Sequence, residues 1–299
     1  MHFTHKLVRA TALSLAVVLS SAPAGFAEGG ETQFQDQSRI ASVGGSITEI
    51  VYALGEEGKL VARDSTSVFP EAALSLPDVG YMRALSPEGV LSVNPSGILA
   101  LEGSGPKEAI DVLKKASVPF VTVPDGFSHK GILDKIHIVG KALGADAKAD
   151  ALATEVDKQL TDAEALTSAI PPAERKRVLF ILSLQGGKIL AAGSDTAANG
   201  IIALAGGINA VEGYSGYKQL TDEAAITARP DVILMMDREG GLAIDDADLY
   251  AHPAIAPTPA AQAKRVIRMD GAYLLGFGPR TAAAVKELAS AFYGDAVKK

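Results

Sequence analysis

The chain has 299 residues, 47% of them hydrophobic and 21% charged, and a formal net charge of −7. That is ordinary globular composition, enough for one large or two modest domains. The absence of cysteine excludes disulfides, thiolate metal sites, a cysteine nucleophile and a lipid-anchored N-terminal cysteine. An acidic chain without a basic cluster does not suit nucleic acid or an anionic membrane as partner.

Residues 1–27 read as a secretory signal peptide. Lys6 and Arg9 form a basic start, Ala10 to Val18 is a short apolar core, and Gly25-Phe26-Ala27 supplies small residues for cleavage after Ala27. The apolar run is too short to span a bilayer. Removing Lys6 and Arg9 takes the formal charge from −7 to −9. The expected mature protein is exported and soluble.

Beyond the leader, strands alternate with helices. Arg39 to Val43 reads as a strand, Gly44-Gly45-Ser46 as its turn, and Ile47 to Leu54 as a helix closed by Gly55. Leu60 to Ala62 is the next strand, followed by a long loop from Asp64 to Gly80. Then comes Gly80-Tyr81-Met82-Arg83-Ala84-Leu85-Ser86-Pro87-Glu88, which packs a phenol, a guanidinium and a carboxylate into one short stretch. Ser86 suits a helix cap, Pro87 its first position and Glu88 its positive end. Tyr81 and Arg83 therefore sit on a loop entering a helix, where a rigid scaffold presents ligand contacts. Taken alone, they fit an ordinary solvated surface better than a site. Gly97 to Leu101 and Val118 to Val123 are further strands, and Lys107 to Ala116 and Lys130 to Leu143 further helices.

Asp146 to Ala169 differs, being rich in alanine and charge without glycine or proline. It predicts one uninterrupted helix, stopped by Pro171-Pro172, that acts as a rigid strut. The pattern then restarts with a strand at Val178 to Leu182, a helix at Ala197 to Ala205, a short helix at Asp222 to Ala228 and a strand at Val232 to Met236. A strand at Arg265 to Met269 and a helix at Arg280 to Tyr293 close the chain, with Pro279 read at the first helical position. Leu85 to Leu99 and Leu220 to Leu234 match without a gap at an offset of 135 residues, sharing Leu, Glu, Pro, Ile and Leu. Two similar lobes are the preferred reading of that echo. The fold class is α/β: two similar lobes with mainly parallel sheets, joined by one long rigid helix. Expected boundaries are 38–145 for the first lobe, 146–170 for the linking helix and 171–299 for the second.

Catalytic chemistry is sparse. His129, His137 and His252 lack metal-ligand spacing, and there is neither a Gly-x-Ser-x-Gly elbow nor a phosphate loop. Gly44-Gly45-Ser46 has the shape of an anion nest but is more often a tight turn. Asp245-Asp246 reads as solvated. Binding is what remains, in a cleft between lobes. Arg238 directly follows the strand Val232 to Met236, at the carboxyl end where α/β sheets present ligand contacts.

The stretch Asp78-Val79-Gly80-Tyr81-Met82-Arg83-Ala84-Leu85-Ser86, with Gly89-Val90-Leu91-Ser92 and Leu275-Gly276-Phe277-Gly278-Pro279-Arg280-Thr281, resembles the periplasmic haem-binding proteins of bacterial haem ABC importers. The resemblance extends over essentially the whole mature chain. It implies a non-enzymatic carrier that holds haem in the interlobe cleft, with Tyr81 as axial iron ligand, Arg83 near the ligand and Arg238 pairing with the tyrosine oxygen. A phenol of pKa about 10 binds iron well only when ionisation is favoured, and ferric iron and a guanidinium both favour it. Tyrosine is an established axial haem ligand, and arginine suits the propionates.

In the wider class that this resembles, a Glu on each lobe docks onto a paired permease, which points to Glu88 and Glu223. The implied partners are an inner-membrane ABC permease dimer with its ATPase, and the implied state a periplasmic monomer without a lipid anchor. One departure stands out: some members carry a His where this chain reads Ser183-Leu184-Gln185-Gly186-Gly187. A siderophore or cobalamin carrier of the same class is the alternative, and an exported α/β hydrolase a more distant one.

Overall fold

The computed structural model describes residues 1–2, 33–237 and 244–297. The leader, beyond its first two residues, and Arg238 lie outside them. Among the described residues no helix is long and apolar enough to cross a membrane.

The first lobe is built on four parallel strands in the order β2-β1-β3-β4. These are β1 (Ile40–Val43), β2 (Leu60–Arg63), β3 (Gly97–Leu101) and β4 (Phe120–Val123). Every residue of β1 and β3 is buried. Continuous apolar strands of this kind belong in a parallel sheet covered on both faces. The covering helices include α1 (Gly45–Ala53), α3 (Lys107–Lys115) and α4 (His129–Ala142). Between β3 and the preceding loop lies α2 (Pro87–Leu91), capped as expected: the Ser86 hydroxyl accepts from Gly89 N at 2.9 Å.

The 23-residue α5 (Asp146–Ser168) is the expected strut, about 35 Å long at the standard rise. Its buried stripe is Ala149, Ala153, Val156, Leu160, Ala163 and Thr167. Small residues allow close approach: a Cβ on Gly140 of α4 would overlap the Ala149 methyl. The other end packs on α11 (Thr281–Tyr293) of the second lobe.

The second sheet has the order β10-β9-β5-β6-β8, with a short β7 (Ile208–Asn209) beside β5. Its strands are β5 (Arg177–Gln185), β6 (Lys188–Ala192), β8 (Tyr217–Leu220), β9 (Val232–Asp237) and β10 (Val266–Asp270). Strands β5, β9 and β10 are parallel, whereas β6 runs antiparallel to both β5 and β8. This sheet is therefore mixed. The hairpin turns at Gly186 and Gly187, whose φ angles of 57° and 71° suit only glycine without strain. Ser183 to Gln185 thus end β5, and Gly186-Gly187 form the tip of the hairpin. Its helices are α6 (Ala197–Leu204), α7 (Asp222–Ala228), α8 (Asp246–Ala251), α9 (Pro259–Gln262) and α10 (Gly271–Leu275), before α11.

The sequence echo has a structural counterpart. Thr221 caps α7 by accepting from Ala224 N at 3.2 Å, as Ser86 caps α2. Asn94 and Arg229, at equivalent positions, both take positive φ (48° and 43°) just before the prolines that lead into β3 and β9. One apolar core runs from Ile40 in β1 through α4 and α5 to Phe292 in α11, and a second cluster covers the other face of the second sheet. Thr32–Lys299 accordingly forms a single compact unit.

Leu160 is fully buried in the middle of the strut. Leu160→Ala is expected to cost about 3 kcal/mol, as for other buried leucines. Urea unfolding should show one transition moved to lower denaturant. A loss under about 1 kcal/mol, or two separate transitions, would contradict a strut shared by one core.

Candidate ligand-binding cleft

The loop carrying Tyr81 is fastened to the sheet edge before it reaches the phenol. Val79 N donates to Arg63 O at 2.9 Å and Ser65 N to Gly80 O at 3.0 Å, so residues 78–80 extend β2 as a short ladder. Asp78 holds the turn: its carboxylate accepts from Gly80 N at 2.8 Å, Ser65 Oγ at 3.0 Å and Arg63 Nη1 at 3.1 Å. Gly80 then turns with a φ of 103°, which favours glycine. On the far side, Leu85 N donates to Gly105 O and Gly105 N to Met82 O, both at 2.8 Å. Met82 and Leu85 are buried, whereas Tyr81 and Arg83, on either side of Met82, face outward, the tyrosine 45% exposed. Arg83 Nη1 donates to Tyr81 Oη at 3.4 Å. The structure therefore brings these two candidates together on a braced loop.

The neighbouring glycine turn does hold an anion, one supplied by the chain itself. Gly44 N donates to Asp64 Oδ1 at 2.9 Å, and Thr66 N and Thr66 Oγ1 donate to Oδ2 at 3.0 and 2.7 Å. Asp64 is fully buried, and Ser42, Thr48 and Ser67 extend the network. These bonds satisfy the buried carboxylate, which would otherwise be costly. Gly44 to Ser46 is thus a structural turn.

Sequence reasoning missed Glu49. It lies on α1, only 9% exposed, and crosses to the second lobe. Arg280 donates to it through its backbone N and its Nε, each at 2.9 Å, and Nη2 lies 2.9 Å from Oε2. Arg280 is the N-cap residue of α11, so Pro279 precedes the cap instead of occupying the first helical position. The Phe69 ring of the first lobe stacks on the same guanidinium at 3.5 Å, with Tyr273 at 5.4 Å. Beside this seam, Phe127 and Phe277 meet edge to face at 5.4 Å. The available signal was an acid inside the apolar run Ile47 to Leu54, since a carboxylate on a buried face needs a partner.

These contacts come from the loops and helices that follow strands in both lobes, the usual location of a ligand cleft in α/β sheets. Tyr217 enters from the second lobe at the start of β8. It is half-buried, and its ring meets Phe180 edge to face at 6.3 Å. Burial pushes its phenol up from the usual value; the Ala198 N–H, Arg83 and the Thr196 hydroxyl oppose that rise, and Asp125 adds to it. It too was missed, since a lone Tyr beside Gly216 carries no motif.

Arg238 lies outside the described residues; β9 ends one residue earlier, at Asp237. Glu88 and Glu223 are both exposed, in the first turns of α2 and α7. Neither joins the cleft residues. The histidines have structural partners. His129 lies 2.9 Å from both Glu164 and Asp157 of α5, and His252 Nε2 lies 3.1 Å from Gly187 O at the hairpin tip. Asp245 and Asp246 begin α8, where Asp246 accepts from Arg268 at 2.7 Å.

A family model described as periplasmic binding protein matches residues 40–273. Among solved structures, the chain is similar to the periplasmic heme-binding protein BhuT in complex with two hemes: 38% identity, TM-score 0.81, covering 87% of this chain and 98% of that one. It is equally similar to the heme-binding protein RhuT from Roseiflexus sp. RS-1 in apo form: 38% identity, TM-score 0.81, 88% and 100% coverage. The uncharacterized ABC transporter substrate-binding lipoprotein YvrC of Bacillus subtilis (strain 168) is 31% identical over 267 residues, 89% of this chain and 83% of the relative. A shorter stretch of 85 residues, 28% of this chain and 30% of the relative, is 35% identical to the vitamin B12-binding protein of Yersinia pestis (strain Pestoides F).

Glu49→Ala removes one partner of a nearly buried ion pair and leaves Arg280 without its carboxylate. The expected loss is about 2–3 kcal/mol, below the roughly 3–5 kcal/mol of a fully buried pair because Arg280 is partly wet. Chemical denaturation measures it. A change within about 0.5 kcal/mol would show that the seam contributes nothing to stability.

Proposed function

We propose that this chain, which belongs to the periplasmic binding protein family, captures haem between its lobes and delivers it to an inner-membrane ABC permease. The observation that carries this reading is the braced pair of Tyr81 and Arg83, set in a framework 38% identical to a heme-binding protein over almost all of that protein's length. Tyr81 is the axial ligand of the haem iron. The residue is 45% exposed, which leaves it open to a metal, and the guanidinium 3.4 Å away stabilises the negative charge that coordination requires. Arg238, the residue after β9 in sequence, is the second-lobe arginine that the resemblance pairs with the same oxygen. Both arginines are also suited to carboxylates by their forked donors.

The chain works as a carrier, without an enzymatic step, in the periplasm after removal of the leader at Ala27. YvrC is named a lipoprotein, whereas this sequence has no cysteine to hold such a lipid, and the mature protein is free and monomeric. Two domains of 38–145 and 171–299 flank the linking helix 146–170, and each offers one acid to the permease dimer, Glu88 and Glu223. Equivalent acids on two similar lobes match a two-fold symmetric partner, and exposed charge of this kind steers encounter.

Titrating the mature protein with hemin should give the absorption spectrum of ferric haem bound by tyrosinate. Tyr81→Phe keeps the ring but removes the oxygen. The spectrum should vanish and affinity fall about 100-fold, or ~2.7 kcal/mol. Arg83→Ala should weaken hemin binding, because the iron-bound oxygen loses the cation 3.4 Å away that stabilises its negative charge. A parent-like spectrum in Tyr81→Phe would defeat the assignment. Separately, Glu88→Ala combined with Glu223→Ala should leave hemin binding intact while impairing ATP hydrolysis and uptake by the cognate permease in liposomes. Normal uptake would reduce both residues to acids that stabilise their helices.

A further inference from the structure

Three histidines stand outside the leader, and their bonds require different protonation states. His129 has a carboxylate oxygen 2.9 Å from each ring nitrogen, Glu164 at Nδ1 and Asp157 at Nε2. Carboxylates only accept, so this ring makes both bonds when it carries two protons. His137 is exposed and lies 3.4 Å from Asp150. A second proton costs neither ring a bond. His252 is the reverse. Its Nδ1 accepts from Ala254 N at 3.2 Å, and its Nε2 lies 3.1 Å from Gly187 O. A backbone N–H can only donate, so Nδ1 carries no proton and Nε2 carries the one it gives to the carbonyl. Those two bonds fit the neutral ring alone.

These bonds join a fixed turn to an exposed tip. His252 follows α8, and its carbonyl accepts from Ile255 N and Ala256 N, both at 2.9 Å. Leu249, Ala254 and Ile255 around it are fully buried in the second core cluster. Gly187 is exposed, at the tip of the β5–β6 hairpin. Among the described residues, the His252 bond is the one hydrogen bond that ties this tip to a neighbouring element. The tip also stands at the ligand end of the lobe. Ile181 of β5 pairs with Met235 of β9, and the same register sets Ser183 level with Asp237, the last residue of β9. Residues 184–188 therefore project past the carboxyl edge of β9, the side on which α/β sheets present ligand contacts.

We propose that His252 is an acid-sensitive latch on the hairpin: it holds the tip while the ring is neutral and releases it when a second proton enters. A proton on Nδ1 would point at the Ala254 N–H, donor against donor. The residue is only 9% exposed, so the new charge would also be largely cut off from water. The charged groups on the surrounding elements do not compensate. Lys188 of the hairpin is itself a cation. Among the described residues Asp237, Asp245 and Asp248 form no ion pair with the ring, Asp246 is held by Arg268, and burial keeps the Tyr250 phenol neutral. Turning the ring relieves the clash and withdraws Nε2 from Gly187 O. The consequence for cargo rests on the haem reading above: a released tip loosens the second-lobe edge of the cleft, and haem leaves faster in acid.

Amide hydrogen exchange of the ligand-free protein tests the latch, read as protection at about pH 5 and about pH 8, either side of the range in which imidazoles titrate. Protection of the hairpin tip should fall about tenfold at the lower pH, the scale of one hydrogen bond, while α5 and β9 keep theirs. His252→Gln offers a donor at the reach of Nε2 that never titrates, so its tip should be equally protected at both pH values. His252→Asn keeps only the short-range acceptor for Ala254 N, so its tip should be unprotected at both. Equal protection of the parent at the two pH values, or a pH response that survives in His252→Gln, would overturn the latch. Hemin dissociation into excess apomyoglobin reads the consequence. Acid also weakens the Tyr81 bond, but equally in the parent and in His252→Gln, so the ratio of their rates isolates the latch. That ratio should be close to unity at the higher pH and severalfold at the lower. Unity at both would overturn the link to cargo. Failure of the haem reading itself would appear differently, as a parent protein that gives no tyrosinate spectrum with hemin at the higher pH.

Discussion

A carboxylate of the first lobe seated on the N-terminus of the last helix of the second is the constraint on which the cleft depends. Glu49 accepts from both the backbone and the side chain of Arg280, so it serves as a helix cap and as an ion pair at once. Either role alone is worth little near a surface; burial at 9% exposure and three donor contacts make it a specific joint. The backbone around it is shaped to the same end. A Cβ on Gly278 would come within 3.0 Å of Glu49 Oε1. Phe277 adopts a φ of 50°, unfavourable for a bulky residue, and is held there by burial against Phe127. The Gly276 to Thr281 motif is therefore the lobe joint, and the second-lobe residue proposed to meet the ligand comes from elsewhere.

That joint explains why the ligand end of the cleft can afford an exposed phenol. The lobes are tied at the Glu49–Arg280 seam, along α5, and through a core that runs without interruption from β1 to α11. Tyr81 is in turn tied by Asp78 on one side and Gly105 on the other. Its oxygen is left free because no bond in this bracing involves it, apart from the long contact to Arg83. Preorganisation of this kind lowers the ordering cost of binding, since little of the chain must be fixed when the cargo arrives.

Much of the fold was legible in local chemistry. The strut followed from an unbroken run of helix formers ended by two prolines, and α2 and α7 from a hydroxyl cap before an acid. What escaped was non-local. The β5–β6 hairpin had a signal in Gly186-Gly187 between two apolar runs, but it was obscured because the surrounding pattern was strictly alternating strand and helix. The anion filling the Gly44 turn comes from Asp64, and no spacing rule links a nest to a carboxylate twenty residues on. Glu49 and Arg280 are separated by 231 residues, so only the oddity of a single acid on an apolar face hinted at the pair. Tyr81 and Arg83 were visible because both lie on one short loop.

The same joint bears on release. Two docking acids, one on each lobe, would grip a permease through a frame that the strut and the seam hold at fixed spacing. A partner that binds both acids at that spacing gains affinity without deforming the carrier; one whose two pockets stand wider apart must strain the seam. The strain would fall on the contacts that cross between lobes, which include the Glu49–Arg280 pair and the stacked Phe69. Cargo bound across such a seam, as proposed, would be sensitive to lobe separation, because a small displacement lengthens the contacts to one lobe without breaking those to the other. Cargo held across a seam in this way can be loosened by the partner that pulls on both sides of it, with no hinge required in α5.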